Sequence, residues 1–544
     1  MTSKAGNPKK DSEHIVQAAH RLHLAGRLAE AEAGYRQALR IDSAGADALR
    51  LLGALLLQRG DAKGAIPLME KAVKLNPSAA SWVNLAAAWR TDHEPAAAAE
   101  CCRNAIAIDS TLSAAFFNLG HAYRDLGDLA AAADAYRTYL RLEPRDAEGH
   151  VILGDTLRLM SDPDAAMDAY EIALAYDSVH INAHVNVAGI IQAQGFHHAG
   201  LAVLEALVRA VPESAEARKT LAVAQLQLAD FTAGWAGFES RFDATTERVQ
   251  RHTAPPAYWQ GEDLADKSIL IWTEQGLGDE ILFANMIPDI IARARACGIQ
   301  CSPRMAPVFK RSFPGASVVS REDVAESAAQ CTRFDVHQSN AILGHYPRPC
   351  AAAFPRHDGY LKADPEKTAV LREKYAAAAG GRHIIGLSWR STNPVFGSAK
   401  SAALENFAPI LEQVDAFFVS LQYGDCRAEL DDVAKRLNVE ILNDTTVDSS
   451  VSADDFMAQV AAMDLVITTS NTTAHAAGAM GKPVWILLPF AAGTIWYWFL
   501  HRADSPWYPS ARLIRASRYD VSQPWELEPV AAAAALLARG SPPL

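Results

Sequence analysis

The sequence has little cysteine, no surplus of positive charge and no long apolar run free of proline and glycine. Its seven cysteines are odd in number and include no Cys-x-x-Cys pair. That argues against a disulfide framework and against a structural zinc site. Acidic residues (63) exceed basic ones (51), a formal charge of −12, so nothing chain-wide attracts nucleic-acid phosphates, and no nucleic-acid partner is expected. The opening segment MTSKAGNPKKDSEH has no apolar stretch behind it, unlike a secretory leader. The charge-free stretch from Pro483 to Leu500 is only just long enough to cross a bilayer and is interrupted by Pro489 and Gly493. It reads as a buried strand followed by an aromatic loop, and the expected location is the cytoplasm. What remains is an ordinary globular composition, half hydrophobic and 21% charged, over a length suited to about three domains.

An internal period fills the first two fifths. Gly26 and Gly60 stand 34 residues apart, as do Gly120 and Gly154, and Tyr136, Tyr170 and Leu204. Pro77, Pro144 and Pro212 mark alternate units, and Ala31, Ala65, Ala98, Ala132 and Ala166 keep the register, with one step of 33. Small residues at such a spacing allow two antiparallel helices to cross closely, with Tyr35, Met69, Tyr136 and Tyr170 expected to fill grooves between neighbouring units. The period and pattern resemble the tetratricopeptide repeat. An α-solenoid is expected over residues 11–242, with six regular units to Pro212 and an irregular seventh, Ser214–Phe242, whose second helix reads FTAGWAGFESRF. Asn84, Asn118 and Asn186 share one register on the helix that would line the concave face. Their amides either bind the backbone of an extended peptide or are simply frequent residues of the repeat.

Beyond the linker DATTERVQRHTAPPAYW, short β-rich runs alternate with amphipathic helices, the pattern of parallel sheets. Two α/β domains are expected, 256–375 and 376–544. The first has a strand at Ser268–Trp272 and weaker ones at Phe334–Gln338 and Tyr360–Ala363. The second has strands at 384–389, 416–422, 439–442, 464–470 and 483–489, with helices at Glu405–Val414, Ala428–Leu437, Ser452–Met463 and Thr472–Met480 and a terminal helix in AAAAALLA. Two doubly wound units in tandem suggest a ligand in the cleft between them.

Three clusters could carry chemistry. EQGLGDEI (274–281) is a strand–turn–helix that fits neither the dinucleotide nor the Walker fingerprint. Asp279 there is either a helix cap or a general base. TTSNTTAHAAGAMGKP (468–483) opens a helix with Ser470, Asn471, Thr472 and Thr473, small polar residues that suit an anion at a helix N-terminus. His475 lies one turn further on, as a packed core residue or a second candidate base. Arg390 and Lys400 flank a Gly/Pro loop after a strand and could neutralise a diphosphate. Gln422 and Tyr423 end the next strand, where a base or sugar edge could sit. No cluster has metal-ligand spacing, no strand ends in Asp-x-Asp, and no Gly-x-Ser-x-Gly elbow occurs, so neither a metal nor a cofactor is expected.

Solenoid, EQGLGD, DLVITTSNTTAHAAGAMGKPVWILLP and SPWYPSARLIR together resemble bacterial tetratricopeptide proteins with a heptosyltransferase-like GT-B glycosyltransferase domain, close in plan to protein O-glycosyltransferases, including those acting on flagellin. The resemblance implies a solenoid followed by a GT-B fold of two Rossmann-like domains. It implies inverting, metal-independent transfer from a nucleotide-sugar to Ser or Thr of a polypeptide captured by the repeats, flagellin being one such acceptor. A glycan- or lipid-linked acceptor and a non-catalytic peptide-binding scaffold are the alternatives. The family's glycine–aspartate motif falls on Gly278 and Asp279, making Asp279 the candidate base with His475 its rival. Its phosphate-binding turn falls on Ser470–His475. The chain departs from the pattern in having Ser470-Asn471 for Asp-Thr and Trp496-Tyr497-Trp498 for Trp-Arg-Trp, which leaves the sugar donor open.

Overall fold

The computed structural model describes residues 8–244, 257–274, 276–322, 332–391, 397, 400–489, 495–516 and 527–538. The chain divides into two compact units, Met1–Ile190 and Ile191–Leu544.

The first unit is entirely helical among its described residues. After Pro8–Leu24, helices of 14 and 13 residues alternate from Leu28–Ile41 to Pro163–Tyr176. The period has a backbone cause. Gly26, Gly60, His93, Gly127 and Ser161, spaced 34, 33, 34 and 34 residues apart, each turn the chain in a left-handed conformation (φ +75°, +83°, +63°, +80° and +61°) between the two helices of a pair. The helix that follows is often capped by an aspartate: Asp61, Asp128 and Asp162 each accept from the backbone N–H three residues on. The small residues at the crossings are obligatory. A Cβ on Gly53, Gly120 or Gly154 would stand 2.7, 2.5 or 2.5 Å from Met69, Tyr136 or Tyr170. These large, buried side chains fill the crossing inside a unit, and Met69 also shares a hydrophobic cluster with Leu85 and Ala88 of the next unit.

The second unit begins with helices that continue the repeat period (His197–Ala210, Ala215–Gln227 and Phe231–Phe238) and then builds two parallel sheets. The irregular seventh repeat is part of this unit. Phe231, Trp235, Phe238 and Phe242 share a hydrophobic core with both sheets. The Trp235 indole N–H donates to the Arg348 carbonyl at 3.0 Å, and its ring stands edge-on to Trp496 at 5.5 Å.

The first sheet contains β1 (Ala257–Tyr258), β2 (Ser268–Trp272), β3 (Ala296–Cys301), β4 (Ala316–Ser320) and β5 (Val336–Ser339) in the order β1-β5-β2-β3-β4. The second contains β6 (His383–Ser388), β7 (Ala416–Ser420), β8 (Ile441–Leu442), β9 (Leu465–Thr469), β10 (Val484–Leu488) and β11 (Ala511–Arg515) in the order β11-β10-β9-β6-β7-β8. All the ladders are parallel. The first sheet begins at its edge strand β1, then winds outward from β2 through β3 and β4 and crosses back to β5; the second begins at the internal β6, winds outward through β7 and β8 and crosses back to β9. The order reverses between β2 and β5 in one sheet and between β6 and β9 in the other, and ligands of such sheets collect at the strand C-termini beside that reversal.

Two sequence readings need correction. Tyr360–Ala363 is not a strand, since the Tyr360 and Leu361 N–H groups both donate to the Ala479 carbonyl (2.8 and 3.0 Å) and hold the segment against a helix end. β1, β3, β4 and β11 form where no strand was expected, β1 at the end of the stretch read as a linker. Pro483–Leu500 does contain a buried strand, β10, and a short aromatic turn at Trp496–Trp498. Among the described residues, no helix is long and apolar enough to cross a membrane.

Candidate active site

The two reversal points bring two helix starts together. After β2, Gly276 takes φ +107°, a conformation costly for any other residue, and opens the helix Leu277–Phe283 with Asp279 as its third residue. Asp279 therefore stands inside the helix, not at its cap, and its N–H donates to the Gly276 carbonyl at 3.1 Å. After β9, Asn471 caps the helix Thr472–Ala479. The helices meet so closely that a Cβ on Gly278 would lie 3.2 Å from the His475 ring. A cavity of about 480 Å³ opens where they meet, lined by Asp279, Arg304, Lys400, Tyr423, Ser470, Asn471, Thr472, His475 and Tyr497, among others.

Asp279 is perturbed in the direction a base requires. Burial, then the nearby Glu274 carboxylate, raises its carboxyl to about 6, while Arg241 and Lys400 pull the other way. Glu274 is itself buried, held by an ion pair with Arg241 at 2.6 Å and by the Ser339 hydroxyl. Its neighbour Glu280 is turned away, taking hydrogen bonds from Thr273 (2.7 Å), Ser302 (2.6 Å) and Arg321 (2.5 Å). Lys400 is nearly buried at the cavity wall, and desolvation lowers its pKa although Asp279 supports its charge. His475 is a poor base. Burial and then Lys400 depress it to about 3, and it is stacked on Trp498 with ring centroids 5.2 Å apart.

The strand-to-helix turn uses much of its polarity internally. The Asn471 carbonyl oxygen accepts from Thr473 N–H (2.9 Å) and the Thr468 hydroxyl (3.1 Å), while its amide donates to the Ser388 hydroxyl (2.9 Å). Ser470 accepts from the Trp498 indole at 2.7 Å. Thr472 is half-buried and faces the cavity, whereas Thr473 is buried and does not line it. Gln422 is withdrawn: its oxygen accepts from Trp389 N–H (3.0 Å) and Arg390 N–H (2.9 Å), and its amide donates to the Arg390 and Tyr423 carbonyls. It braces a loop and offers no edge to a ligand. Arg390 is not among the residues that line the cavity: its guanidinium pairs with Glu429 at 3.6 Å and donates to the Asp425 carbonyl.

The three asparagines of the repeats do not form a common ladder. The Asn118 amide donates to the Ala114 carbonyl of its own helix at 2.9 Å. The Asn186 amide donates at 2.8 Å to the Asp155 carboxylate, which also accepts from the Tyr170 hydroxyl. Asn84 is half-buried on the equivalent helix.

Sequence reasoning missed Arg304, Glu274, Arg241, Tyr497 and Tyr508. Glu274 and Tyr508 lay within motifs already singled out, and Tyr497 was noted only as a departure from a pattern. Arg304 and Arg241 carried no local signal, since each reaches the site through the fold. Among the described residues, no group of three or more His, Cys, Asp or Glu side chains is placed to hold a metal ion.

Residues 18–80 and 117–179 match the tetratricopeptide repeat family. The chain contains tetratricopeptide repeats. Protein FlbA of Caulobacter vibrioides is 34% identical over 308 residues, 54% of this chain and 50% of that protein. The chain thus spans about half the length of this curated relative. Solved structures similar to the chain include MamA from Desulfovibrio magneticus (20% identity, 32% of this chain, 97% of that one, TM-score 0.30) and PilF of Pseudomonas aeruginosa (18%, 39%, 98%, TM-score 0.34). YrrB, described as a TPR protein with an unusual peptide-binding site, aligns at 21% identity over 31% of this chain and 88% of its own, with a TM-score of 0.28. The repeats suggest a scaffold for peptide or protein partners.

Proposed function

We propose that the second unit is an inverting GT-B glycosyltransferase needing no metal, which moves a sugar from a nucleotide-sugar to Ser or Thr of a polypeptide held by the repeats, flagellin being one acceptor. The observation that carries the proposal is the Asp279 carboxyl, raised to about 6 at the wall of a cavity that also holds Lys400 and the start of the helix Thr472–Ala479. A serine hydroxyl is a weak nucleophile until a base removes its proton as the bond forms, and a base with a pKa near the working pH does this best. In the proposed step the acceptor oxygen bonds to the sugar's anomeric carbon on the face opposite the phosphate. The bond from that carbon to the phosphate oxygen breaks, the nucleotide leaves with the electron pair, and the proton passes to Asp279. Charge on the leaving diphosphate is met by Lys400 and by the positive end of the dipole of the helix Thr472–Ala479. The motif resemblance and the two reversed parallel sheets support the same reading.

Asp279→Asn tests it, because the amide keeps the size of the side chain and Asp279 caps nothing. Transfer, followed by intact mass of candidate acceptor proteins, should fall roughly a hundredfold or more, the scale for loss of a general base, with nucleotide affinity retained. Transfer at the parental rate would remove Asp279 from the mechanism.

A further inference from the structure

A chain of hydroxyls and one imidazole runs from the cavity to the back of the Asp279 helix. The Tyr497 hydroxyl lies 3.2 Å from His475 Nε2, and the Tyr508 hydroxyl lies 2.8 Å from His475 Nδ1. Tyr508 is hydrogen-bonded in turn to the Tyr360 hydroxyl. The Tyr360 hydroxyl donates to the Ile281 carbonyl at 2.8 Å, with the Leu282 carbonyl at 3.3 Å. Tyr497, His475 and Tyr508 are all buried, and Trp498 stacks on the imidazole.

The far end of this chain dictates its direction. A carbonyl can only accept, so Tyr360 must donate to it. The Tyr360 oxygen then accepts from Tyr508, and the Tyr508 oxygen accepts from the imidazole. A neutral imidazole has one N–H, here committed to Tyr508 at Nδ1, so bare Nε2 accepts from the Tyr497 hydroxyl. The opposite direction would leave the Tyr508–Tyr360 contact with no proton to share.

We propose that Tyr497 is a positioning residue of the cavity, its O–H locked onto His475 and its oxygen presented beside Asp279 as an acceptor for a neutral ligand donor, a sugar hydroxyl or an amide N–H. The position is unsuited to a phosphate oxygen, which brings no proton, so the anionic part of a ligand belongs at the Lys400 side. The charged groups around it are Asp279, Lys400 and Arg304 at the wall, with Glu274, Arg241 and Glu280 beyond. The catalytic consequence rests on the transferase reading; the direction of the hydrogen bonds does not.

The test begins with ¹⁵N spectra of the histidine rings in the full chain. The expected signature for His475 is a protonated Nδ1 and a bare Nε2; a protonated Nε2 overturns the proposal. The second measurement is the ¹³C titration of Asp279 in Tyr497→Phe. If Tyr497 points its lone pair at Asp279, removing the hydroxyl leaves the midpoint unchanged or lowers it. A midpoint raised by half a unit or more would mean that the hydroxyl had been donating to the carboxylate, and the proposal fails. Where transfer is measurable, Tyr497→Phe should slow it at least fivefold while the pH midpoint of the rate stays at the value for Asp279, and an unchanged rate counts against the positioning role. Absence of transfer in the parent chain would instead sink the transferase reading, leaving both spectroscopic results to decide the direction.

Discussion

Asp279→Asn should make the second unit more stable at neutral pH and no more stable in acid. The Asp279 carboxyl rises from 3.8 to about 6 on folding, a gap of about two pKa units, worth about 3 kcal/mol at 1.36 kcal/mol per unit. Well below pH 3.8 the group is protonated in both folded and unfolded chains and contributes nothing either way. As pH rises, the unfolded carboxyl ionises first, so the folded state loses ground through this window and the loss is complete above about pH 6. Asparagine has no charge to desolvate beside Glu274 and escapes the loss. The attraction of Lys400 is already contained in the value of 6, so it does not offset the gain a second time. Because the side chain is only partly buried, water in the cavity relaxes the field, and a gain of about 1–3 kcal/mol is the expectation. Urea unfolding of the full chain at pH 3.5 and 7.5, followed by the fluorescence of the tryptophans clustered in the second unit, supplies the comparison. A midpoint in Asp279→Asn that exceeds the parent's at pH 7.5 and matches it at pH 3.5 is the predicted result. Equal midpoints at both pH values would refute the reasoning. So would a lower one at pH 7.5, since it would mean that the carboxylate is stabilised where it sits.

The two cations read from the sequence should separate in binding. Lys400→Ala should weaken a nucleoside diphosphate by about 1.5–3 kcal/mol in calorimetry, the scale for a hydrogen bond to a charged group, whereas Arg390→Ala should leave affinity within about a factor of two because its guanidinium serves Glu429 and Asp425. In the repeats, Ser161 holds a left-handed turn (φ +61°) that glycine occupies in equivalent units. Ser161→Gly should therefore raise stability in urea by up to about 1 kcal/mol, relief of the left-handed conformation outweighing the added chain entropy.

Legibility of the fold followed the strength of its periods. The repeat showed because its residues act at fixed points. A left-handed turn recurs every 34 residues, and glycines such as Gly120 and Gly154 meet aromatic rings so closely that no larger side chain fits. Even so, the turn position is filled by His93 and Ser161 as well as glycine, so composition alone shows it incompletely. β2, β9 and β10 were readable because strands buried on both faces must be continuously apolar. β3 and β4, reading ACGIQC and ASVVS, carry too few large apolar residues to stand out, and their pairing beside β2 comes from tertiary context.

The candidate site was legible where backbone geometry demands a residue type, and obscured where polar side chains serve the backbone. Asp279 was picked out because a strand, a Gly-x-Gly turn and a helix place it at a helix start, and the resemblance to heptosyltransferase-like enzymes, not the motif alone, marked it as a base. Gln422, Arg390 and Asn471 looked equally like ligands, yet a loop that turns sharply at a strand end must satisfy its own N–H and C=O groups, and all three are spent on Arg390, Tyr423, Asp425 or Thr473. The irregular repeat shows the converse. A terminal repeat has no following repeat to cover its outer face, and FTAGWAGFESRF answers by placing Phe231, Trp235 and Phe238 in the core of the sheets. The same turn of chain delivers Arg241 to Glu274 at 2.6 Å, and Arg241 and Glu274 both bear on the carboxyl of Asp279. The irregular seventh repeat is thus the means by which the solenoid's last element helps set the acidity of the candidate base.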